Sequence, residues 1–367
     1  MMNLGIIGAG GFSLYSIEAF LKSGDVNVAG VYDIDEQQSG NFYDKFGGKI
    51  YAGIDEMLNS VEINMIYIST PPYLHYKQSK AALLAGKHVI CEKPAAFRAD
   101  EALELVNLAA DKKLLYTVNL MQRYNPLYKQ VKCIIDEKLL GECVHGFFEN
   151  YATDSGLDPS HWMWDETVSG GIFIEHAVHF FDLFEGWLGT GEVIAAQKLK
   201  RLHQDKEYWS RVQAIVKYPM GLVNFYHGFD QPGPLDRQEL RLEFERGDIT
   251  LYEWIPTKMR LYGLLSNAEL NRLKEIFGDA EINHLESFEQ NTRFRGRFKE
   301  HIADHEIQLM AGTDAQKFNR YQEMLTAMFA DQLKWVANPD HHRTISGMNG
   351  YTSLKMAEKA NQIAIKR

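Results

Sequence analysis

Short apolar runs alternate with amphipathic segments along the first third of the chain. Five runs bounded by polar or turn residues are typical of buried strands: Leu4–Ile7, Val26–Tyr32, Met65–Ile68, His88–Cys91 and Leu114–Val118. Segments such as Leu14–Lys22 and Ala99–Lys112 carry apolar residues at helical spacing and predict helices between the strands. Because strand and helix alternate throughout, we predict an α/β domain with a doubly wound parallel sheet over residues 1–122.

The pattern changes after residue 122. Longer strands follow one another across short turns, which predicts an antiparallel sheet: Glu142–Tyr151, Glu192–Leu202, Ser210–Tyr218, Leu222–Phe229, Glu239–Glu245, Ile249–Trp254 and Lys258–Tyr262. Helices are predicted over Leu127–Glu137, Ala268–Phe277, Gln316–Ala337 and Tyr351–Ile365, whereas residues 278–313 fit neither pattern. We predict that residues 123–367 form an α+β domain, with a last helix able to pack back on the first domain.

The composition is that of a globular protein. Hydrophobic residues make up 45% and charged residues 24% of the chain, and its 367 residues favour about two domains. A formal net charge of -10 repels phosphate backbones. We therefore expect no nucleic-acid partner.

Cysteine usage and hydropathy bear on the compartment. Cys91, Cys133 and Cys143 form no Cys-x-x-Cys pair and cannot all pair internally, which suits a reducing compartment. We expect no signal peptide, because no basic segment followed by an apolar run opens the sequence. No stretch approaches the roughly 20 apolar residues that cross a bilayer. The prediction is a cytoplasmic protein with no membrane partner.

A glycine-rich turn follows the first strand and precedes the first helix. A dinucleotide pyrophosphate binds close to backbone N–H groups at a helix N-terminus, where a side chain would block its approach. We therefore predict that this turn binds a dinucleotide through Gly8, Gly10, Gly11, Phe12 and Ser13. Ser13 departs from the Gly or Ala that is usual in the fingerprint, and a glycine-rich turn alone is also typical of a plain tight turn.

Asp33 ends the second predicted strand. It lies 25 positions after Gly8, near the spacing of the acid that hydrogen-bonds the adenosine ribose. A carboxylate there would repel a 2′-phosphate, which favours NAD over NADP as the cofactor. The alternative is that Asp33 and Asp35 are simply polar residues at a strand end.

The third and fourth predicted strands also end in polar turns. The third runs into Ser69-Thr70-Pro71, after which His75 opens a helix, and the fourth runs into Glu92-Lys93-Pro94. Proline disfavours helical backbone in the preceding residue, so Lys93 is held extended at the strand end. Ligands of such sheets bind at the carboxyl ends of the strands. Both turns are thus placed to face a cofactor, although the Ser69 turn also fits a plain turn.

A second polar cluster lies on the predicted helix after Gly170-Gly171. Glu175, His179 and Asp182 fall at i, i+4 and i+7 and share one helix face. An acid beside a histidine suits acid-base chemistry. A buried polar stripe that satisfies neighbouring backbone groups would look the same.

Five motifs together resemble the Gfo/Idh/MocA oxidoreductases, a family that includes glucose-fructose oxidoreductase and inositol dehydrogenase. In chain order they are Gly8–Ser13, Thr70-Pro71, Glu92-Lys93-Pro94, Gln122-Arg123-Tyr124-Asn125-Pro126 and Gly170–Asp182. The resemblance extends from Leu4 to the last helix. It implies a Rossmann domain, an α+β domain with an open-faced, mostly antiparallel sheet, and a homodimer or homotetramer built on that sheet.

The resemblance also implies a reaction. By motif position Lys93 is the family lysine, His179 is the catalytic histidine, and Glu175 stands where an aspartate is usual. The implied reaction is the reversible oxidation of a secondary alcohol on a sugar, polyol or inositol, with hydride transfer to NAD. The sequence does not decide whether Lys93 or His179 is the base. Beyond the glycine turn and Asp33, cofactor contacts are expected from Ser69, Thr70, Pro71, His75, Glu92 and Lys93.

Substrate contacts are expected from the same cluster and from residues around it. The set comprises Lys93, Asn119, Arg123, Tyr151, His161, Trp162, Trp164, Glu175, His176 and His179. The two tryptophans fit either a flat apolar face for a sugar ring or plain core. Arg123 fits a pairing with a substrate carboxylate or with a backbone carbonyl, and we favour the carbonyl.

Three alternatives stay open. Glu175-His176-x-x-His179 superficially resembles a zinc motif, but its histidines are three apart instead of four, so we expect no metal. The family includes a non-catalytic NAD-binding repressor, although a sensor needs neither Lys93 nor His179. It also includes glycosidases that retain NAD and act by transient oxidation, for which the same residues would serve.

Overall fold

A computed structural model describes residues 1–154, 156, 158, 160–203, 206–278, 280–296, 299–312 and 317–366. The chain divides into two compact units. The first contains Met1–Tyr124, Pro159–Asp182 and Tyr321–Gln362, and the second contains Asn125–Asp158, Leu183–Arg320 and Ile363–Arg367. Both units are discontinuous in sequence, so the continuous domains 1–122 and 123–367 stay a prediction.

The first unit is built on a six-stranded parallel sheet. Its strands are β1 (Met2–Ile7), β2 (Val26–Tyr32), β3 (Lys49–Ile50), β4 (Met65–Ile68), β5 (His88–Cys91) and β6 (Tyr116–Val118). They lie in the order β3-β2-β1-β4-β5-β6, so the order reverses beside β1. The helices between them are α1 (Gly11–Leu21), α2 (Glu36–Phe46), α3 (Ile54–Asn59), α4 (His75–Leu84) and α5 (Ala99–Asp111). The predicted doubly wound α/β fold is confirmed.

Later helices complete both units. They are α6 (Pro126–Asp136), α7 (Glu166–Ser169), α8 (Val178–Leu188), α9 (Asn267–Phe277), α10 (Lys317–Ala337) and α11 (Gly347–Ile363). In the first unit, Phe329 of α10 stacks on Phe20 of α1 with ring centroids 4.3 Å apart. A Cβ at Gly350 of α11 would lie 2.4 Å from Val118 of β6, so a glycine allows this close packing.

The second unit is built on a ten-stranded, mostly antiparallel sheet. Its strands are β7 (Cys143–Thr153), β8 (Glu192–His203), β9 (Lys206–Tyr218), β10 (Gly221–Gln231), β11 (Arg237–Phe244), β12 (Gly247–Tyr252), β13 (Lys258–Leu265), β14 (Glu281–Arg295), β15 (Glu300–Gly312) and β16 (Ile365–Lys366). The order is β14-β15-β13-β12-β11-β7-β10-β9-β8-β16, with parallel pairing between β7 and β10 and between β8 and β16. Phe184 of α8 packs edge-on against Phe225 of β10, 5.0 Å between centroids, so one sheet face carries helices. This sheet confirms the predicted fold class.

The structure places residues that showed no readable pattern. Strands β14 (Glu281–Arg295) and β15 (Glu300–Gly312) pair as antiparallel neighbours, and β14 exposes most of its side chains, which removes the alternation on which a strand prediction depends. Helix α2 was missed for a similar reason, because it buries little beyond Ser39 and Phe42. Among the described residues, no helix is both long enough and apolar enough to cross a membrane.

Candidate active site

The glycine turn lies at the carboxyl end of β1. Gly8 has a φ of 96°, and a Cβ on it would stand 2.6 Å from the Ser69 carbonyl oxygen, so only glycine lets the two turns approach. Helix α1 begins at Gly11, and Gly10 caps it without a side-chain hydrogen bond. A Cβ on Gly10 or Gly11 would meet nothing within 4 Å. This open space at a helix N-terminus fits a pyrophosphate group.

Asp33 is fixed beside this turn by backbone groups. One carboxylate oxygen accepts the Ala9 N–H at 2.6 Å, and the other accepts the Asp35 N–H at 2.9 Å. The Asp33 N–H itself donates to Ser39 Oγ at 3.0 Å. The carboxylate is therefore held at the end of β2, next to the glycine turn, where a ribose acceptor is expected.

His75 connects the Ser69-Thr70-Pro71 turn to the lysine corner. Its Nε2 lies 2.7 Å from the Thr70 carbonyl oxygen, and its Nδ1 lies 2.7 Å from the Pro94 carbonyl oxygen. Burial lowers the pKa of His75 against the opposing effect of these two carbonyls. The imidazole thus braces two strand-end turns against each other, and its predicted contact with a cofactor stays a prediction.

Glu92 is buried and held by two donors. Tyr67 Oη and Asn119 Nδ2 both donate to Glu92 Oε1, at 2.6 and 2.7 Å. Burial raises the pKa of Glu92, and these hydrogen bonds oppose that effect. Asn119 Oδ1 has no hydrogen-bond partner among the residues that the structure describes. A buried amide oxygen of this kind is available to a ligand.

Lys93 is held by a single residue of the second cluster. Its ammonium pairs with the Glu175 carboxylate and also donates to the Glu175 carbonyl oxygen at 2.9 Å. The side chains of Lys93 and Glu175 are 19% and 12% exposed, so this pair is largely shielded from water. An ammonium has three donors, and the two bonds to Glu175 leave one for another acceptor.

The segment that carries Glu175 begins as a π-helix. Residues Phe173–Ala177 form it, and α8 continues from Val178, so the predicted regular helix is replaced by a π-turn at its start. Gly170 and Gly171 precede it with φ values of 79° and 83°, and a Cβ on Gly170 would lie 2.7 Å from Ile174 Cγ2. Both glycines are therefore needed for the backbone to lead into the π-helix. π-turns are frequent at functional sites.

His179 and His176 are neutral imidazoles near the lysine. Burial, then the ammonium of Lys93, then His176, hold the pKa of His179 well below its usual range. Burial and Lys93 lower the pKa of His176 to about 3. His179 is buried, and its Nδ1 has no hydrogen-bond partner among the described residues. A neutral, desolvated histidine next to a cation is equipped to accept a proton from a bound hydroxyl.

Arg123 is bound to the third residue of the predicted helix face. Its guanidinium donates to both carboxylate oxygens of Asp182, at 3.0 and 2.6 Å, and to the Asp182 carbonyl oxygen at 2.7 Å. Asn349 of α11 adds a donor to Asp182 at 3.0 Å. Asp182 is fully buried. The guanidinium therefore ties the turn after β6 to the helix that carries His179.

The remaining predicted substrate residues include His161 and the two tryptophans, which belong to one short turn. His161 Nδ1 accepts the Met163 N–H at 3.3 Å and so caps the short 3-10 turn Trp162–Trp164. Trp162 is 39% exposed, whereas Met163 between the tryptophans is buried. Met163 therefore belongs to the core, whereas the exposure of Trp162 fits a free ring face better than a core position.

Tyr151 belongs to the sheet of the second unit. Its hydroxyl donates to Glu149 at 3.1 Å, and its ring lies 5.1 Å from the Tyr226 ring and 4.4 Å from the Arg237 guanidinium. Alternation along β7 puts Tyr151 on the face opposite Phe148. Its predicted contact with substrate stays a prediction.

Tyr321 is a candidate that the sequence did not single out. It lies in the first turns of α10, with its ring 6.0 Å from Phe12 and 5.4 Å from Tyr15. Burial, then the charges of Glu92, Tyr15 and Glu175, raise the pKa of Tyr321 well above its usual value. Its phenol thus stays protonated close to both carboxylates. A tyrosine within an ordinary amphipathic helix carries no local signal of this position.

Two family models match the chain. Residues 2–120 match a model described as an oxidoreductase family with an NAD-binding Rossmann fold, and residues 128–250 match the Gfo/Idh/MocA C-terminal domain. Among curated relatives, glucose-6-phosphate 3-dehydrogenase of Bacillus subtilis is 27% identical over 187 residues, which are 50% of this chain and 53% of that protein. The chain spans about half the length of the curated relatives it matches.

Solved structures share the fold over nearly the whole chain. Levoglucosan dehydrogenase, in complex with NADH and levoglucosan, has a TM-score of 0.76 at 15% identity and covers 98% of this chain and 96% of its own. A 3-ketoreductase from Actinomadura kijaniata, in complex with NADP and TDP-benzene, has a TM-score of 0.75 at 17% identity and covers 100% and 98%. At these identities the likeness concerns the fold. The two family models confirm the resemblance read from the motifs: the chain belongs to the Gfo/Idh/MocA family of oxidoreductases.

Proposed function

We propose that this protein is an NAD-dependent dehydrogenase that oxidises a secondary alcohol on a sugar, polyol or inositol. The observation that carries the proposal is the juxtaposition of the Lys93 ammonium, paired with Glu175, and the neutral, buried His179. A cation and a base beside one site are what the oxidation of an alcohol requires. Relatives named as sugar dehydrogenases or reductases support the substrate class.

The nicotinamide cofactor, when bound, supplies the acceptor for the hydride. The open space over Gly10 and Gly11 fits its pyrophosphate, with Gly8, Phe12 and Ser13 completing the turn. Among the other predicted contacts, Ser69, Thr70, Pro71 and Glu92 follow β4 and β5 at the same sheet edge as the glycine turn.

We propose NAD in preference to NADP. The Asp33 carboxylate is fixed by two backbone amides at the end of β2. No lysine or arginine occurs from Asp33 to Asp44, so this segment offers no cation to a 2′-phosphate. Solved structures of the fold bind either NADP or NADH, which makes the electrostatics of this segment the basis of the preference.

His179 is the proposed base. The Lys93 ammonium is paired with the Glu175 carboxylate and bonded to the Glu175 carbonyl. Its third donor can reach the alcohol oxygen and stabilise the charge that develops there. The substrate hydroxyl then gives its proton to an imidazole nitrogen of His179, while burial and the nearby cation keep that imidazole neutral beforehand.

Substrate contacts are proposed from the polar groups that line this cluster. The buried Asn119 amide oxygen, Glu175 and His176 would bind hydroxyl groups, and Trp162 would offer a flat face to the ring. His161, Trp164 and Tyr151 remain proposed contacts. For Arg123 we propose a positioning role, because its donors are engaged by Asp182.

Compartment and assembly are also proposals. Cys91, Cys133 and Cys143 are free thiols, which supports a cytoplasmic location. The larger sheet exposes apolar side chains such as Val144, Leu222 and Tyr262, which supports a homodimer or homotetramer built on that sheet.

The test is the absorbance of reduced nicotinamide when the protein is given NAD or NADP and a panel of inositols, aldoses and their acids. We expect a rise with one sugar class and a loss of roughly a hundredfold or more in turnover for Lys93→Met. Lys112→Met is the matched control, since Lys112 is an exposed lysine that donates only to the Leu84 carbonyl at 3.4 Å among the described residues.

Three outcomes would contradict the proposal or part of it. Retained NAD without any turnover would indicate a sensor. Hydrolysis of an aryl glycoside without net NADH would indicate a glycosidase that acts by transient oxidation. Unchanged turnover in Lys93→Met would remove Lys93 from the mechanism.

A further inference from the structure

A second cavity lies in the first unit, lined by α5, the start of β6 and the segment that joins α10 to α11. Its volume is about 370 Å³, at the lower end of the range for small-ligand sites. The walls are predominantly apolar and include Val106, Ala109, Ala110, Tyr116, Trp335 and Met348. None of the residues discussed above as cofactor or substrate contacts lines it.

One wall of the cavity carries the guanidinium of Arg343. Arg343 lies over the Trp335 ring, 4.4 Å from its centroid, and donates to the neutral Gln332 amide at 3.1 Å. None of the carboxylates that the structure describes forms an ion pair with Arg343. Burial lowers the pKa of this guanidinium, and the charges of Tyr124 and Asp331 oppose that effect. Arginine side chains stay charged in proteins.

Asp331, whose charge acts on Arg343, is already engaged by other groups. Asp331 accepts hydrogen bonds from Tyr124 Oη at 2.6 Å and from the Thr344 N–H at 2.8 Å, and it lies 2.6 Å from His341 Nε2. Lys113, at the rim of the cavity, adds a second cation. A partly buried cation in an apolar wall favours an anion whose body is apolar.

We propose that this cavity binds a small carboxylate with an apolar body, such as a single ring or a short chain. The carboxylate lies against Arg343, with Lys113 at the rim, and the apolar body contacts Ala110, Tyr116 and Trp335. The planar guanidinium suits a carboxylate because it presents two parallel donors. Its stacking on Trp335 fixes the plane in which those donors point. The site is separate from the candidate active site and does not depend on the proposed reaction.

The probe is 4-phenylbutyrate, titrated into the full chain by calorimetry and compared with 4-phenylbutanamide, which has the same shape without the charge. We expect the acid to bind and the amide to bind at least tenfold more weakly. Arg343→Gln should lower the affinity for 4-phenylbutyrate by about tenfold or more, the loss expected for one charge-assisted hydrogen bond. It should leave the weak affinity of the amide unchanged.

Ala110→Phe provides an independent test, because Ala110 is exposed at the cavity and a larger side chain there fills it without disturbing the core. It should abolish binding of the acid even if Arg343→Gln folds poorly. Lys112→Gln, an exposed lysine outside the cavity lining, should bind the acid as the unmodified chain does.

Lys93→Met separates this site from the active site, where a carboxylate could also meet a cation. Unchanged affinity of the acid in Lys93→Met supports the cavity, whereas loss of binding would place the probe at Lys93 and overturn the proposal. Equal affinities for acid and amide, undiminished binding in Ala110→Phe, or no binding at millimolar probe would overturn it as well.

Discussion

Removing the guanidinium of Arg123 tests how the histidine-bearing helix is held. Three donors of Arg123 reach Asp182, whose side chain is 0% exposed, while Arg123 itself is 13% exposed. Breaking a buried ion pair by removing one partner costs about 3–5 kcal/mol, because the other charge stays buried. Asn349 still donates to Asp182 at 3.0 Å. We therefore expect Arg123→Met to lower the free energy of unfolding by about 3 kcal/mol, the low end of that range.

A double-mutant cycle measured by urea unfolding isolates the pair. Asp182→Asn removes the buried charge and retains the size of the side chain. The double variant Arg123→Met with Asp182→Asn should be more stable than the sum of the single losses predicts, by roughly 2 kcal/mol, since neither charge is left unpaired. Arg98→Met is the control, because Arg98 pairs with Asp100 on the surface, where such pairs contribute about 1 kcal/mol or less.

Kinetics separate positioning from substrate binding. A substrate ligand would raise KM on removal and leave stability almost unchanged. A residue that positions the His179 helix should lower kcat and stability together, and the double variant should recover part of both. Near-normal stability of Arg123→Met with a raised KM would refute the reasoning and restore Arg123 as a direct contact.

Three further predictions follow from the same site. Because the pKa of His179 is held well below its usual range, kcat/KM for alcohol oxidation should not fall as pH drops through about 6.5, where an ordinary histidine would become protonated; a half-loss there would contradict the assignment of the base. Asp33→Ala should raise the KM for NAD and narrow its preference over NADP, which steady-state rates with both cofactors would measure. Tyr321→Ala should weaken binding of NADH in a fluorescence titration by removing the ring beside Phe12, whereas Tyr321→Phe keeps that ring and should bind normally.

The strands of the first unit could be predicted because each is an apolar run with a polar boundary. Residues 88–91 lie between Lys87 and Glu92, and the structure has the strand at His88–Cys91. These strands are parallel, so their carboxyl ends meet at one edge of the sheet. The turns after β1, β2, β4 and β5 could therefore be predicted to contact the same cofactor. Local pattern was sufficient wherever burial was high on both sides of the sheet.

Partners that come from distant parts of the chain could not be predicted. Asn349 reaches Asp182 across 167 positions, and Tyr321 reaches Phe12 from α10. Periodicity reports which face of a helix is buried but not what it packs against. The same limit applied to Arg123, for which a substrate carboxylate or a backbone carbonyl was expected as the partner. The structure has a carbonyl contact, to Asp182, together with the Asp182 carboxylate, which the sequence did not indicate.

The surroundings of the proposed base include a backbone feature that periodicity does not encode. In a regular α-helix the carbonyl of residue 175 would accept the N–H of residue 179, whereas a π-helix shifts its bonds by one residue. Within the π-turn at Phe173–Ala177 the Glu175 carbonyl accepts a bond from Lys93, in addition to the pair with the Glu175 carboxylate. These two contacts hold the ammonium on Glu175, and burial keeps His179 neutral, which is why we propose His179 as the proton acceptor.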